Sequence, residues 1–300
     1  MKIKKGKKSR RENVGYLYIL PWIFGFLVFQ LYPLVSSLYY SFTDFSITNI
    51  PVFIGLKNYI DMFTKDPLFY KSLMNTLKYV LMSVPLKIIT ALLVAVILNQ
   101  KIKGINFYRT IYYIPSIFGG SVAIAILWRF LFMDSGLVNR CLAIFKIPGV
   151  QWLSNPKVAL FTLSLLSVWQ FGSSMVLFLA ALKQVPEDLY EAARIDGGSW
   201  IRIFFSITIP MITPVLFFNI LMQLVNAFQD FTGAFVITNG GPLNSTYLFA
   251  LKLYDEAFSY YKMGYASALS WVLFIMIIAF TAVFFKFSDT LTYYEDGGDY

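Results

Sequence analysis

Six long apolar stretches constrain the fold of this chain more than any other feature. Each holds about 20 mostly uncharged residues, which is the length that an α-helix needs to cross the hydrocarbon core of a bilayer. Water is absent there, so a spanning segment must satisfy its own backbone hydrogen bonds. The predicted spans cover residues 16–39, 73–98, 110–132, 158–182, 211–235 and 265–287. The sequence therefore predicts an all-α polytopic membrane protein with six transmembrane helices.

The first apolar stretch follows a basic tail and could be mistaken for a signal peptide. It is longer than the roughly 7 to 15 residues of a signal h-region and lacks a small-residue cleavage site, so we expect a retained span. The predicted organisation is a basic tail at 1–15, a first span with its outer loop at 16–72, a five-span core at 73–287 and a tail at 288–300. Within the core, a charged connecting segment covers residues 183–210.

The distribution of Lys and Arg predicts the orientation. With the N-terminus inside, the inner segments hold fourteen basic residues and the outer loops eight. Cytoplasmic loops of membrane proteins retain positive charge, so both termini are expected in the cytoplasm of a bacterial-type cell. The net charge of +9 is then explained by topology and by attraction to anionic membrane lipid. Nucleic acid is not an expected partner, because the charge forms a tail and not a folded basic surface.

Several kinds of chemistry are missing from the chain. It has no histidine and one cysteine, Cys141, which excludes imidazole catalysis and thiolate metal clusters. It also lacks the GxxxxGK[ST] run that binds nucleotide phosphates. Carboxylates are nearly confined to loops and tails, so no intramembrane proton relay is evident. We therefore expect no enzymatic activity and no cofactor in this chain, and any energy for uphill transport would come from a partner.

The fifth predicted span carries a row of polar residues. Asn219, Gln223, Asn226 and Asp230 are spaced by four, three and four residues, and Gln229 lies beside them. On one helix they would form a single stripe, which should face protein or water instead of lipid. One interpretation is a path lining that exchanges hydrogen bonds with a hydroxyl-rich solute. The other is packing between helices, worth roughly 0.6 kcal/mol for each such bond.

The fourth predicted span has a second polar and aromatic cluster, formed by Trp169, Gln170, Ser173 and Ser174. An aromatic face beside amides suits a sugar ring, although Ser and Trp are also common where helices pack. In the second span, Lys87 would cost about 2.5 to 3.5 kcal/mol at the bilayer centre. It should either extend to the interface or face a cavity, and the sequence leaves both interpretations open.

The charged segment between the fourth and fifth spans has the signals of two short helices. Glu187 and Asp188 follow Pro186 and would complement the dipole of a helix that starts there. Gly197 and Gly198 predict a sharp turn before a second helix that leads into the next span. The segment is therefore predicted to form a helix-turn-helix elbow on the cytoplasmic face, with an ordinary connecting loop as the alternative.

The residues of this elbow also carry a resemblance to a known family. The pattern consists of Glu191, Ala192, Ala193, Gly197, Ile207, Ile209 and Pro210. It resembles the EAA signature of the membrane subunits of binding-protein-dependent ABC importers, and departs from it only in Ile209, where Leu is usual. Residues 99–115, 237–246 and 263–271 look like the carbohydrate permeases of the maltose and glycerol-phosphate class. The resemblance covers residues 58–287.

The resemblance implies a type I ABC importer permease fold and a role in importing a sugar, oligosaccharide or polyol derivative. It implies a heterodimer with a second permease, two ATPase subunits that bind ATP and Mg, and an extracytoplasmic solute-binding protein. The residues that it assigns to ATPase coupling are Glu191, Ala192, Ala193, Asp196 and Gly197. The rival interpretations are an ion-coupled secondary transporter, which needs no ATPase, and an intramembrane enzyme, which needs a nucleophile with its base.

Overall fold

The computed structural model describes residues 18–100 and 103–291, with side chains as far as Lys286. The predicted tail at 1–15 and residues 292–300 lie outside this range, whereas 288–291 belong to the last helix. The helices are α1 Tyr18–Ser41, α2 Lys57–Thr64, α3 Pro67–Leu98, α4 Ile105–Ile117, α5 Val122–Phe132, α6 Leu137–Ile144, α7 Ala159–Trp169, α8 Gly172–Leu182, α9 Glu187–Ile195, α10 Trp200–Phe228, α11 Phe249–Tyr254 and α12 Met263–Leu291.

Most of the predicted spans are present as helices. Among the described residues, five stretches are long and apolar enough to cross a membrane, and the bent pair α7 and α8 makes a sixth. Short π-helical turns occur within α1 and α10, at Ala234–Thr238 and after α11. The structure also contains a two-stranded antiparallel ribbon, β1 Thr43–Asp44 with β2 Val52–Phe53, in which Thr43 pairs with Phe53. The loop predicted after the first span therefore contains a small ribbon and the helix α2.

The chain divides into two compact units, and residues 18–65 with 254–272 form the first. The amide of Asn58 donates to the backbone carbonyls of Ser41 and Thr43, both at 2.9 Å. The backbone N–H of Gly264 donates to the carbonyl of Phe45 at 2.9 Å. A Cβ at Gly264 would collide with the carbonyl of Thr43. These contacts fix the chain at the end of α1, and the approach at Gly264 leaves no room for a side chain.

The second unit, residues 66–253 with 273–291, is organised around α3. This helix packs against α7, α8 and α10, and Ala91 and Ala95 are fully buried. Small side chains let the neighbouring helices approach closely, as is usual in membrane bundles. The carboxylate of Asp66 caps the helix by accepting from the backbone N–H groups of Leu68 and Phe69, at 3.0 and 3.1 Å.

Hydrogen bonds and an ion pair join residues 243–252 to the start of α3. The Lys71 ammonium donates to the carbonyl of Leu243 at 2.6 Å, and the Asn75 amide donates to the carbonyl of Asn244 at 2.7 Å. The Nζ of Lys252 lies 2.6 Å from Asp66 Oδ2, and the Lys252 side chain is only 2% exposed. A buried ammonium is stable only with such a charged partner, so this pair ties the segment firmly to the start of α3.

The third and fourth predicted spans differ from single straight helices. Residues 110–132 contain α4 and α5, which are separated at Gly119 and Gly120, and Gly120 has φ +72°. The stretch suited to crossing the membrane is Val122–Ile144. The fourth span is bent by 48° between α7 and α8. The hydroxyl of Ser116 donates to the Gln170 carbonyl at 3.1 Å and accepts from the Ser173 N–H at 3.0 Å, satisfying both groups at this break.

Candidate coupling elbow and polar path

The predicted elbow is present between the fourth and fifth spans. Pro186 caps α9 with φ −57° and ψ 133°, so the helix begins at Glu187, one residue later than predicted. Glu187 and Asp188 occupy its first turn and Arg194 its last. Both placements complement the helix dipole. The sequence located this helix correctly because its signals are local.

Two glycines end α9 for different physical reasons. Gly197 has φ +76° and donates to the Arg194 carbonyl at 3.1 Å, while Gly198 donates to the Ala193 carbonyl at 2.9 Å. This pair of bonds is a Schellman motif, whose turning residue requires the left-handed conformation. A Cβ on Gly198 would lie 2.7 Å from the Ala193 carbonyl, whereas the space beside Gly197 is open. Gly197 is needed for its backbone conformation and Gly198 for space.

The second arm of the elbow, formed by the first residues of α10, is joined to the first arm, α9. Ser199 caps it by accepting from the Arg202 N–H at 3.4 Å. The hydroxyls of Tyr190 and Thr208 lie 3.1 Å apart and join α9 to the π-helical turn within α10. The elbow is therefore a defined structural element and not an irregular connection.

The EAA residues lie on an accessible surface. All nine residues of α9 are exposed or half-buried. Glu191, Ala192, Asp196 and Gly197 are exposed, Ala193 is half-buried, and Ile195 is 86% exposed. A charged helix that presents small residues and a solvent-exposed apolar side chain is suited to close contact with another protein.

The polar stripe of the fifth span is split by the structure. Asn219 and Gln223 are buried, whereas Asn226 and Gln229 are exposed. The amide of Asn219 donates to the Ser174 carbonyl at 3.1 Å, which links α10 to α8. Asn219 thus makes a contact of the kind expected for packing between helices, and the amides of Asn226 and Gln229 are accessible at the surface.

Asp230 lies beyond the end of the helix that carries Asn219, Gln223 and Asn226. The fifth span was predicted to run to residue 235, but α10 ends at Phe228. The Tyr79 hydroxyl of α3 donates to the Asp230 carboxylate, and the Gly233 backbone donates to it as well. Asp230 is therefore held by protein groups, and the single stripe predicted for all four residues is wrong at its last member.

Lys87 and Tyr79 complete this cluster from α3. Lys87 is half-buried and interacts electrostatically with Asp230. Ser167 of α7 interacts with the Tyr79 hydroxyl. Sequence reasoning missed Tyr79, although its separation of eight residues from Lys87 places the two on similar faces of one helix. That spacing was the available signal.

The polar and aromatic cluster of the fourth span lies at the bend. Trp169 is 37% exposed, and its ring centroid is 5.9 Å from that of Trp128. Gln170 is half-buried and Ser173 is exposed, while Ser174 is buried. The bend thus presents an aromatic ring, an amide and a hydroxyl within five consecutive residues. Among the described residues, no group of three or more acidic or cysteine side chains could hold a metal ion.

The helical bundle and the EAA elbow define a multi-pass permease of the ABC importer class. Residues 67–294 match the family described as binding-protein-dependent transport system inner membrane component. The chain belongs to this family and is a permease subunit of an ABC importer, a transport component rather than an enzyme. Neither an ion-coupled carrier nor an intramembrane enzyme agrees with this membership.

Individual relatives resemble the chain over nearly its whole length. It is 47% identical to the probable ABC transporter permease protein YesP of Bacillus subtilis, over 98% of this chain and 96% of that protein. It is 35% identical to the trehalose/maltose transport system permease protein MalF of Thermococcus litoralis, over 93% and 95%. A crystal structure of a bacterial ABC transporter that imports the acidic polysaccharide alginate superposes with a TM-score of 0.83 at 21% identity, covering 96% of this chain and 99% of that one. The last comparison shows that the fold is that of an ABC importer permease.

Proposed function

We propose that this permease imports a sugar, oligosaccharide or polyol derivative across the cytoplasmic membrane of a bacterial-type cell. The observation that carries the proposal is the set of accessible polar groups on the fourth and fifth spans. Asn226 and Gln229 offer exposed amides, and Trp169 offers a partly exposed ring beside Gln170 and Ser173. Hydroxyl-rich solutes need such amide partners and apolar ring faces. The trehalose/maltose relative supports this substrate class.

The elbow is proposed to lie on the cytoplasmic face and to couple transport to ATP hydrolysis. Its side of the membrane follows from the excess of basic residues on the inner segments. Glu191 contacts an ATPase subunit, Ala192 and Ala193 allow close seating, Gly197 sets the turn and Asp196 contributes charge. The proposed assembly contains two such ATPase subunits, which hold ATP and Mg, a second permease as heterodimer partner and an extracytoplasmic binding protein.

The partner proposal predicts that the chain copurifies with an ATPase. An affinity-tagged permease expressed at native levels should retain a nucleotide-binding subunit and a second permease through purification in mild detergent. Replacing Glu191 with Lys should reduce ATPase recovery by about tenfold, since losing and reversing a charge at a close contact costs at least 1.4 kcal/mol. Lys146→Glu reverses an exposed charge after α6 and is the matched control. A transporter that is fully active with this chain alone would contradict the proposal.

The path proposal predicts different effects at the two ends of the amide stripe. Asn226→Ala and Gln229→Ala should raise the KM for solute uptake by about five- to tenfold, the loss of about one hydrogen bond each, with normal protein levels. Asn219→Ala should instead lower the amount and thermal stability of the permease, because its amide is buried against Ser174. Uptake assays and membrane immunoblots separate these outcomes. An unchanged KM in both Asn226→Ala and Gln229→Ala would show that neither side chain lines the path.

A further inference from the structure

A cavity of about 1030 Å³ opens beside the elbow, and residues of five helices line it. Its wall includes the last residues of α3, the start of α4, the end of α8 and both arms of the elbow. Helix termini that belong to membrane spans lie at the level of the lipid headgroups. The cavity therefore lies where a protein surface meets the polar layer of the bilayer.

The charged residues of the cavity include three cations. Arg109 comes from α4, Lys183 follows α8, and Arg194 lies in α9, while two carboxylates, Glu187 and Glu191, complete the charged lining. The cations come from three separate elements and converge on one space. Convergent basic side chains between membrane helices are suited to a phosphate-bearing headgroup.

Arg109 provides the second observation. One terminal nitrogen donates to the Leu98 carbonyl at 2.8 Å and the other donates to Asn106 Oδ1 at 3.1 Å. Its Nε is buried and has no hydrogen-bond partner within the described part of the chain. A buried charged donor without an acceptor is costly, so the guanidinium is fixed in place with one N–H still to be satisfied. The bonds to Leu98 and Asn106 hold the guanidinium of Arg109 in a fixed position at the cavity wall.

The apolar part of the lining indicates a lipid instead of a free anion. Val96, Leu182, Val185 and Ile203 contribute apolar side chains, and Trp200 lines the cavity with 67% of its surface exposed. Aromatic residues with this exposure are typical of the membrane interface. A free phosphate has no apolar portion to use such a wall, whereas the first methylenes of an acyl chain do.

We propose that this cavity binds the headgroup of an anionic phospholipid whose phosphodiester is received by Arg109, Lys183 and Arg194. Phosphatidylglycerol, whose headgroup carries a phosphodiester and no cation, is a lipid of this kind. Because α9 forms one wall, the bound lipid bridges the elbow to the ends of α3 and α4. Glu191, which is proposed to contact the ATPase, also lines the cavity, so the bound lipid lies beside that contact.

The proposal is tested by measuring the lipid that remains with the purified full transporter. Complexes extracted from membranes that contain phosphatidylglycerol and a zwitterionic lipid are delipidated mildly, and each bound lipid is counted by mass spectrometry. Wild type should retain phosphatidylglycerol preferentially. Arg109→Gln and Lys183→Gln should each lower its retention about fivefold, the effect of one basic residue near a membrane surface. Lys146→Gln, at an exposed lysine after α6, should leave retention unchanged.

Lys183→Gln keeps the test decisive if Arg109→Gln fails to fold, because Lys183 is exposed. Equal retention in Lys183→Gln and the Lys146→Gln control would overturn the proposal. Displacement by soluble glycerol phosphate at equal concentration would show a free-phosphate site instead of a lipid site. If these variants lose the ATPase subunit but retain phosphatidylglycerol, the cavity is a contact with a protein and the lipid proposal is wrong. Since lipid is counted without any solute, the result is independent of which solute is carried.

Discussion

Gly197→Val is expected to abolish solute uptake while the permease remains in the membrane. Gly197 turns the chain with φ +76°, a conformation that costs an L-residue about 1–2 kcal/mol and a β-branched one more. Relaxing this strain breaks the bonds from Gly197 and Gly198 to α9, which changes the angle between the arms. The elbow would then present its helix to the ATPase in the wrong direction. Uptake by cells that produce the complete transporter, normalised to permease in the membrane, measures the effect.

Gly197→Asn is the matched control for this prediction. Asn adopts the left-handed conformation more readily than other side chains, and a Cβ at this position meets open space. Most uptake should therefore remain. Gly198→Ala should fail for a different reason, because its Cβ would lie 2.7 Å from the Ala193 carbonyl. Full activity in Gly197→Val would show that the turn geometry is not needed for coupling.

Lys252→Ala is expected to give the largest loss of stability. Its ammonium is 2.6 Å from Asp66, with side-chain exposures of 2% and 17%. Removing one partner of a buried pair costs about 3–5 kcal/mol because the other charge remains without compensation. For a protein of this size, the unfolding midpoint should fall on the order of 10 °C. Thermal unfolding of the detergent-solubilised permease measures the shift.

Two further variants test whether the buried charge is responsible. Lys262 is 66% exposed and lies 3.9 Å from Glu256, so Lys262→Ala should cost less than about 1 kcal/mol. The double variant Lys252→Met with Asp66→Asn should recover much of the loss. Asn caps a helix nearly as well as Asp, and neither new side chain carries a charge. A similar midpoint for the Lys252→Ala and Lys262→Ala variants would contradict the prediction.

The features that the sequence predicted correctly are those with local causes. Apolar length placed the second and sixth spans, and Pro186 with Gly197 placed both ends of α9 within a residue. The EAA spacing indicated the family that residues 67–294 match, because that signature is a pattern of nearby residues. None of these inferences required knowledge of which helices are neighbours.

The features that the sequence missed depend on contacts between distant segments. At the bend of the fourth span, the Gln170 carbonyl accepts a hydrogen bond from Ser116, which is more than fifty residues away. No sequence pattern around Gln170 predicts this contact. The end of α10 at Phe228 moved Asp230 out of the helical stripe, and the partner of that carboxylate, Tyr79, lies on α3. Which amides are packed and which are accessible likewise depended on neighbouring helices, because both kinds have the same chemistry and spacing.

The bend between α7 and α8 also has a mechanical consequence. α8 contains 11 residues and is therefore about 16 Å long, with the bend at one end and the segment leading to the elbow at the other. At the bend, Gly172 is so close to α4 that a Cβ would lie 2.6 Å from the Tyr112 carbonyl, which leaves that end little freedom. A rotation of α8 by about 10° about its end at Gly172 would displace the other end of the helix by about 3 Å. Distance probes on α8 should therefore report a displacement that grows steadily from Gly172 toward Leu182.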